Sequence, residues 1–519
     1  MKKVIFTKDW MAFHPYDKPN DVDLYYTELA NNIYHELDES CFVHQFQNAD
    51  NAKKLAICIA EYFEDVLSGT CIWKAFTTEC KKRYGVYVPF YQDGYLHDTD
   101  VERFGKEKAT YNPDEINLAD IKFLLWHHYQ LSCYHQEVIP PLFSTIDIAA
   151  KLVYDILDAE YETAPENERL YQFLCELPAT EDTPEVYTNV VDWVHYGCFL
   201  NTGNDLRLIN EFRELQRRGE YNPMLGEAIK ADQMVFYRNI MLGLTSPEWL
   251  AKISEFHPAH KLWTNVEFRE GRPLLIEKID EKFIYAKDLI EEDEVQINRS
   301  SLRVEEDFDY TPFLKGEQFL KSSLFKLGDY WNLHNMGRTF DYNDKTQEEI
   351  KAVKEQLSHK RPLADYALLK DHGYDNKFIF LEDKKALTNF FESIGFKKPA
   401  GVTFPPTVPK GIIVSGSPYT GINVTFGLAH CIYSESNPYY DEIKAQIDDI
   451  NIIAGNGLAL PYELVCRLID SNMLPDASVF TSKYVKEEGL RITQENLQFV
   501  VDYYLMGRRD KDLSPAELW

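Results

Sequence analysis

The residues best suited to chemistry lie in a hydroxyl-rich loop at residues 415–421. An apolar segment, residues 411–414, precedes this loop, and such loops bind phosphate through backbone N–H groups or present a nucleophilic serine. His430 follows closely and would act as a base toward Ser415 or Ser417 if the fold brought it within hydrogen-bond reach. This pattern predicts a hydrolase or a phosphate-ligand enzyme.

The same loop departs from the motifs of both enzyme classes. It lacks the Gly-Lys-Ser/Thr of a P-loop and the Gly-x-Ser-x-Gly of a nucleophile elbow. An ordinary hairpin turn explains Gly416 and Gly421 equally well, because Gly, Ser and Pro are common turn residues. The enzyme and the hairpin therefore both stay open as interpretations.

A second candidate constellation consists of Asp192, His195 and Cys198. These residues recur every three positions, which places them on one face of a predicted helix. Histidine is a suitable donor for a metal, but a fourth ligand would have to come from elsewhere. Trp193 and Val194 lie alongside and favour a hydrogen-bonded histidine at a helix contact. We therefore expect no bound metal and name these three residues as the candidates.

Two further groups of histidines are weak candidates for a site. His128 and His135 share a helical face with His127 nearby, but the aromatic residues around them are typical of a core. His257 and His260 flank a proline and have no acid or thiol close in sequence. The first group therefore predicts a buried imidazole that a neighbour satisfies, whereas the second is a weak signal for any site.

Aromatic residues in a strand-rich segment are candidates for partner binding. The pattern changes from helical to alternating between residues 262 and 304, with turns predicted at 270–271 and 280–281. Small barrels use aromatic faces to bind peptides, nucleic acids or a partner strand, and Trp263, Tyr285 and Trp331 are the candidates here. The acidic residues 291–294 disfavour an anionic ligand, so we expect a peptide or a basic partner.

The helical and strand-like patterns along the chain predict an α+β protein of several domains. We assign residues 1–257 to a helical domain, 258–343 to a small antiparallel β meander or barrel, and 344–519 to a connector helix followed by an α+β domain. Helix starts are predicted where a capping residue precedes proline and an acid, at residues 112–115, 183–185 and 246–248. Gly69 and Gly85 are predicted to end helices. A hairpin with a tight turn is predicted at Gly328-Asp329, and a helix is predicted at residues 383–394.

Charge and cysteine content narrow the class of protein. The chain has 55 Lys and Arg against 84 Asp and Glu, and this net charge of -29 repels nucleic acid and anionic lipid. Nine cysteines without a Cys-x-x-Cys pair fit neither a disulfide framework nor a zinc ribbon. The N-terminal residues contain no apolar stretch long enough for a signal peptide. We therefore expect a cytoplasmic protein without a membrane span, a nucleic-acid partner or a cofactor.

Two stretches of the sequence resemble a known family. Lys8-Asp9-Trp10, Pro15-Tyr16 and residues 23–26 resemble an uncharacterised family of bacterial proteins known only as a domain of unknown function, as do residues 73–77, 114–117 and 123–126. This resemblance implies a bacterial cytosolic protein. It implies no activity, cofactor or catalytic residue.

The sequence does not specify a reaction. Several intact domains without a convincing catalytic set favour an interaction or regulatory protein that acts through its surfaces, although function must be argued from a site. The alternatives are the hydrolase or phosphate-ligand enzyme centred on the loop at residues 415–421, and an acidic mimic of nucleic acid.

Overall fold

The computed structural model resolves the chain into two compact units. The residues that the structure describes are 3–46, 49–91, 111–132, 144–176, 184–258, 264, 266–302, 309–335, 337–357, 360–397, 407–418, 420–445, 462–470, 473 and 495–503. The described residues up to Ile350 belong to the first unit, and those from Lys351 onward belong to the second. The helical region and the β-module predicted from sequence therefore lie within one unit.

The first unit begins with a helical region. Its helices are α1 (Thr7–Met11), α2 (Asp21–Glu39), α3 (Ala49–Ser68), α4 (Ile72–Tyr84), α5 (Leu118–Ser132), α6 (Ser144–Glu160), α7 (Glu168–Tyr171), α8 (Pro184–Asp192), α9 (Asn204–Arg218), α10 (Pro223–Phe236) and α11 (Ser246–Ser254). Short π-helical turns follow α7 at Gln172–Glu176 and α8 at Trp193–Gly197. Tryptophans that are fully removed from solvent, including Trp10, Trp73, Trp126 and Trp249, pack inside this region.

The predicted helix ends are confirmed, whereas two predicted starts are displaced. Gly69 and Gly85 follow α3 and α4 with positive φ angles of 65° and 77°, which glycine adopts without strain. The N-cap of α11 is Thr245 rather than Ser246, because Thr245 forms the capping box with Glu248. Residues 112–115 form a turn instead of a helix start.

That turn has a local cause. The Asn112 side chain accepts the backbone N–H of Asp114, and the Asn117 side chain donates to the Asn112 carbonyl. Asparagine competes with the helix for backbone hydrogen bonds in this way, so helix α5 begins only at Leu118.

A closed five-stranded barrel follows the helices. Its strands are β1 (Glu267–Ile279), β2 (Phe283–Asp288), β3 (Glu294–Asn298), β4 (Gln318–Leu327) and β5 (Tyr330–Leu333), and a short helix α12 (Thr311–Leu314) precedes β4. The strand order is β1-β2-β3-β5-β4, β4 pairs again with β1, and β3 runs parallel to β5. A sixth strand, β6 (Arg338–Asp341), pairs antiparallel with the first residues of β4, from Gln318 to Lys321. This order is that of the OB-fold, a five-stranded barrel.

Strand β1 continues through residues 270–271, where the sequence predicted a turn. The turn predicted at residues 270–271 is a β-bulge inside β1, because Glu270 and Gly271 lie opposite the single residue Ser323 of β4. Gly271 has a φ of 57° there and leaves both flanking segments paired with β4. The turn at Asp280 and the hairpin at Gly328 are as predicted.

Alternating side chains fill the barrel. Its core contains the buried side chains of Leu274, Ile276, Ile284, Ala286, Val295, Ile297, Leu324, Trp331 and Leu333. Because successive residues of a strand point to opposite faces, the residues between them lie on the outer face. The barrel contacts the helical region through aromatic rings, such as those of Tyr187 and Phe325 at 5.7 Å.

The second unit is of the α+β class, as predicted. Helix α13 (Asp344–Leu357), predicted as a connector, has its residues up to Ile350 in the first unit and the rest in the second. The elements that follow in the second unit are α14 (Lys360–Asp371), β7 (Ile379–Leu381), α15 (Lys384–Ser393), β8 (Ile412–Ser417), β9 (Gly421–Thr425) and α16 (Tyr462–Asp470). The three strands form an antiparallel sheet in the order β7-β8-β9. Leu369, Phe390 and Ile412 belong to its core.

None of the helices in the described part of the chain combines the length and the apolar character that a membrane span requires.

Candidate functional sites

The serine loop of the second unit is part of a β-hairpin. Ser415 and Ser417 lie on β8, where they pair with Asn423 and Gly421 of β9, and their exposures are 1% and 4%. His430 lies in a 3₁₀ turn, and its carbonyl accepts the backbone N–H of Asp441. Gly416 and Gly421 therefore belong to the two strands of a β-hairpin. A catalytic role of Ser415, Ser417 and His430 stays a prediction.

The structure does not bring Asp192, His195 and Cys198 together as metal ligands. Asp192 ends α8, and the π-helical turn that follows has more residues per turn than an α-helix, so residues three apart no longer stack. His195 Nδ1 lies 2.8 Å from Ser246 Oγ, and Asp192 Oδ1 lies 3.7 Å from Lys230 Nζ. His195 is thus a hydrogen-bonded histidine at a helix contact.

The other histidines are buried beside polar neighbours. His128 Nε2 lies 3.3 Å from Thr202 Oγ1, and burial lowers the pKa of His128 to about 3. His257 Nε2 lies 2.8 Å from the carbonyl oxygen of Thr70. The position of His128 agrees with the predicted buried imidazole. His135 and His260 lie outside the described residues.

The aromatic candidates of the strand region separate into inner and outer residues. Trp331 is 6% exposed, lies in the barrel core and has the Arg269 guanidinium 4.4 Å from its ring centroid. Trp331 therefore does not belong to an exposed face. Tyr285 is half-buried on the outer face, and Trp263 lies outside the described residues.

Phe283, Tyr285 and Tyr330 form the barrel aromatic face, a row of half-buried rings outside the barrel. The Phe283 ring lies 4.8 Å from that of Tyr330 and 6.4 Å from that of Tyr285. Lys278 is opposite Tyr285 in the β1–β2 register, and its Nζ lies 4.9 Å from the Tyr285 ring centroid. Three neighbouring rings thus offer a continuous surface for stacking.

The turn between β1 and β2 fixes the Tyr285 ring, which lies at one end of this face. Asp280 accepts the backbone N–H groups of Lys282 and Phe283, and these two bonds lower the pKa of Asp280. The Tyr285 hydroxyl donates to the other oxygen of the Asp280 carboxylate at 3.0 Å. Tyr285 is therefore held by an ionised carboxylate while its ring stays accessible.

A second candidate site lies inside the helical region, where His14, Asp23 and Glu64 converge. His14 follows α1, Asp23 lies in the first turn of α2, and Glu64 lies in α3. One ligand atom from each residue lies within 4.8 Å of the other two, and among the described residues this is the one such group of three. The side chains of His14 and Glu64 are 1% exposed, and Asp23 is 0% exposed.

His14 is held between two acceptors. Its Nε2 lies 3.0 Å from Glu64 Oε2, and its Nδ1 lies 3.2 Å from the Trp10 carbonyl oxygen. Burial alone would lower the pKa of His14, but the Glu64 carboxylate outweighs burial and the pKa is raised. The two carboxylates beside it thus make this position favourable for a positive charge.

Neighbouring donors orient the two carboxylates. Asn167 Nδ2 donates to Glu64 Oε1 at 2.7 Å, while the Tyr16 hydroxyl and Trp10 Nε1 donate to Asp23 Oδ1 at 3.2 and 3.3 Å. Side chains of three further residues therefore hold the carboxylate oxygens of the cluster by hydrogen bonds. Glu166 and Glu168, the sequence neighbours of Asn167, line a pocket of about 250 Å³ together with Ser68, Tyr171 and Gln172.

Sequence reasoning did not identify this cluster. Its members come from three elements and match no motif of fixed spacing. One signal was available, because Glu61, Glu64 and Asp65 interrupt the apolar run of α3. Acids in a buried helix require partners, and that requirement would have identified Glu64 as a residue of interest.

Two other buried carboxylates support the fold. Asp65 accepts the first backbone N–H groups of α4, from Ile72 and Trp73, both at 2.8 Å, and burial raises the pKa of Asp65 to about 6. Asp120 accepts the hydroxyl of Tyr62 at 2.6 Å and that of Tyr111 at 2.9 Å, and burial raises its pKa to about 7.

One family model covers most of the chain. It is described as a protein of unknown function, DUF3843, and it matches residues 4–304 and 338–506. The matched ranges include His14, Asp23 and Glu64 as well as Phe283 and Tyr285. No curated protein and no solved structure matches the chain. The chain therefore belongs to the DUF3843 family, whose function is unknown.

Proposed function

We propose that the protein is a binding protein that holds an extended, basic polypeptide segment on the barrel aromatic face. The observation that carries the proposal is the row of three accessible rings, Phe283, Tyr285 and Tyr330, on the outside of a closed barrel. An extended ligand that runs along β2 would contact Tyr285 and Phe283, which lie two residues apart on that strand, and then Tyr330 of β5. This proposed role is binding and involves no chemical reaction at the surface.

Preorganisation of the rings supports binding. In the OB-fold, the face of strands 2 and 3 and the loops between strands 1 and 2 and between strands 4 and 5 hold extended polymers, namely oligonucleotides and oligosaccharides, and the three rings lie in the corresponding part of this barrel. The hydrogen bond from Tyr285 to Asp280 fixes one ring before any ligand arrives. Little side-chain entropy is then lost on binding, which favours affinity.

Charge supports a basic ligand over nucleic acid. Glu281 and Asp329 are exposed and flank the rings in sequence, as does Lys282, and the chain as a whole carries a net charge of -29. The Lys278 ammonium already lies over the Tyr285 ring, which illustrates that the ring faces accept cations. Ligand arginine or lysine side chains would make the same contact, whereas phosphates would be repelled.

Fluorescence anisotropy with defined probes tests the proposal. The probes are a short labelled peptide of alternating arginine and serine, the same peptide with glutamate in place of arginine, and a labelled oligothymidylate. We expect the arginine peptide to bind most tightly. Tyr285→Ala should weaken its binding about fivefold, because a cation–π contact at an exposed site is worth ~1 kcal/mol.

Phe283→Ala should weaken binding of the arginine peptide by a similar factor. The double variant with Phe283→Ala and Tyr285→Ala should weaken it further. The matched control is Tyr34→Ala, which removes a half-buried tyrosine from α2, far from the barrel strands in sequence. That variant should bind the arginine peptide like the wild-type protein. Tighter binding of the glutamate peptide or of the oligothymidylate, or equal affinity for Tyr285→Ala, would overturn the proposal.

A further inference from the structure

We propose that His14, Asp23 and Glu64 bind a divalent transition-metal ion of the zinc class. The proposal is independent of the barrel. It rests on the direction of the hydrogen bonds around His14, on the charge enclosed by the cluster and on the donors that support its carboxylates.

The hydrogen bonds around His14 leave one ring nitrogen facing an acceptor. A carbonyl oxygen only accepts hydrogen bonds, so the contact of His14 Nδ1 with the Trp10 carbonyl places a proton on Nδ1. In the neutral ring Nε2 then carries a lone pair, and that lone pair points at Glu64 Oε2 from 3.0 Å. Two acceptors at this distance require a cation between them, either a proton or a metal ion.

The enclosed charge favours the metal ion. If the cation is a proton, His14 is an imidazolium, and the carboxylates of Asp23 and Glu64 then leave one net negative charge. That charge would be buried, because the three side chains are at most 1% exposed. Unbalanced buried charge is costly. A dication with a neutral imidazole and the carboxylates of Asp23 and Glu64 is electrically balanced.

The supporting contacts are those expected around a metal. A metal-bound histidine donates its other N–H to a carbonyl or a carboxylate, as His14 Nδ1 does to the Trp10 carbonyl. Asn167 and Tyr16 donate to the oxygens of Glu64 and Asp23 and hold them in place. One nitrogen and two carboxylate oxygens suit a borderline ion such as Zn²⁺ better than Mg²⁺ or Ca²⁺.

The experiment measures metal binding by the full chain. After treatment with a chelator and its removal, Zn²⁺ is titrated by calorimetry, and bound metal per chain is counted by mass spectrometry. We expect one tightly bound Zn²⁺ per chain and a raised melting temperature. Glu64→Gln and His14→Gln keep similar shapes and should weaken Zn²⁺ binding by ~100-fold or more, beyond the effect of losing a supporting contact.

His44→Gln is the matched control, because its imidazole is exposed and lies outside the cluster. It should bind Zn²⁺ like the wild-type protein. Visible absorption of the Co²⁺-loaded wild-type chain provides a readout that needs no variant, and we expect the bands of a coordinated ion at one equivalent. Wild-type protein that binds no Zn²⁺ and no Co²⁺, or equal binding by Glu64→Gln, would identify the cluster as a proton-linked pair and overturn the proposal.

Discussion

Replacing the titrating carboxyl of Asp120 should change how stability depends on pH. Asp120 is fully buried and accepts hydrogen bonds from Tyr62, Tyr111 and Asn117, and burial raises its pKa to about 7 from an ordinary value of 3.8. Between these two values the folded chain binds a proton at this carboxyl that the unfolded chain has lost. Stability must therefore fall as pH rises through this window.

The size of the effect follows from the two pKa values. A difference of about three in pKa corresponds to ~4 kcal/mol of free energy of unfolding. The wild-type protein should lose this amount at Asp120 between pH 4 and pH 8. Asp120→Asn has no carboxyl at this position, so its free energy of unfolding should lack this contribution.

Urea unfolding at several pH values, followed by tryptophan fluorescence, measures the effect. The quantity to compare is the unfolding free energy of the wild-type protein minus that of Asp120→Asn, because other titrating groups cancel in this difference. We expect it to fall by ~4 kcal/mol from pH 4 to pH 8. The surface substitution Asp158→Asn is the control. A difference that stays constant with pH would refute the reasoning.

Three further predictions concern stability and are tested by urea unfolding. Asp65→Ala should cost about 2 kcal/mol, because it leaves the first N–H groups of α4 without their acceptor; a cost near zero would contradict this role. Gly416→Ala should destabilise the second unit by ~1–3 kcal/mol, since a Cβ there would lie 2.5 Å from Leu369 Cδ1; unchanged stability would show that the hairpin relaxes. Trp331→Ala should cost ~3–5 kcal/mol through a cavity in the barrel core, and a cost typical of a surface residue would place Trp331 outside that core.

Sequence reasoning succeeded where the determinants are local. Alternation along β2 and β3, the turn at Asp280 and the hairpin at Gly328 each depend on neighbours in sequence, and all were predicted. The apolar and polar pattern of helix α15 (Lys384–Ser393) was sufficient to predict its bounds closely.

Sequence reasoning failed where distant pairing decides the structure. Glu270 and Gly271 have the composition of a turn, but β4 pairs on both sides of them and converts the turn into a bulge. Trp331 was a candidate for an exposed face, and only closure of the barrel places its ring inside. The cluster of His14, Asp23 and Glu64 depends on the packing of three elements, which no spacing rule describes.

The most direct test of the proposed binding function is amide hydrogen exchange of the full chain with and without the arginine–serine peptide. This measurement locates the ligand without a substitution. We predict slower exchange at residues 278–298 and 328–332, where Phe283, Tyr285 and Tyr330 lie, and unchanged exchange in the second unit. Protection confined to other segments, or no protection at saturating peptide, would contradict a binding role for the barrel aromatic face.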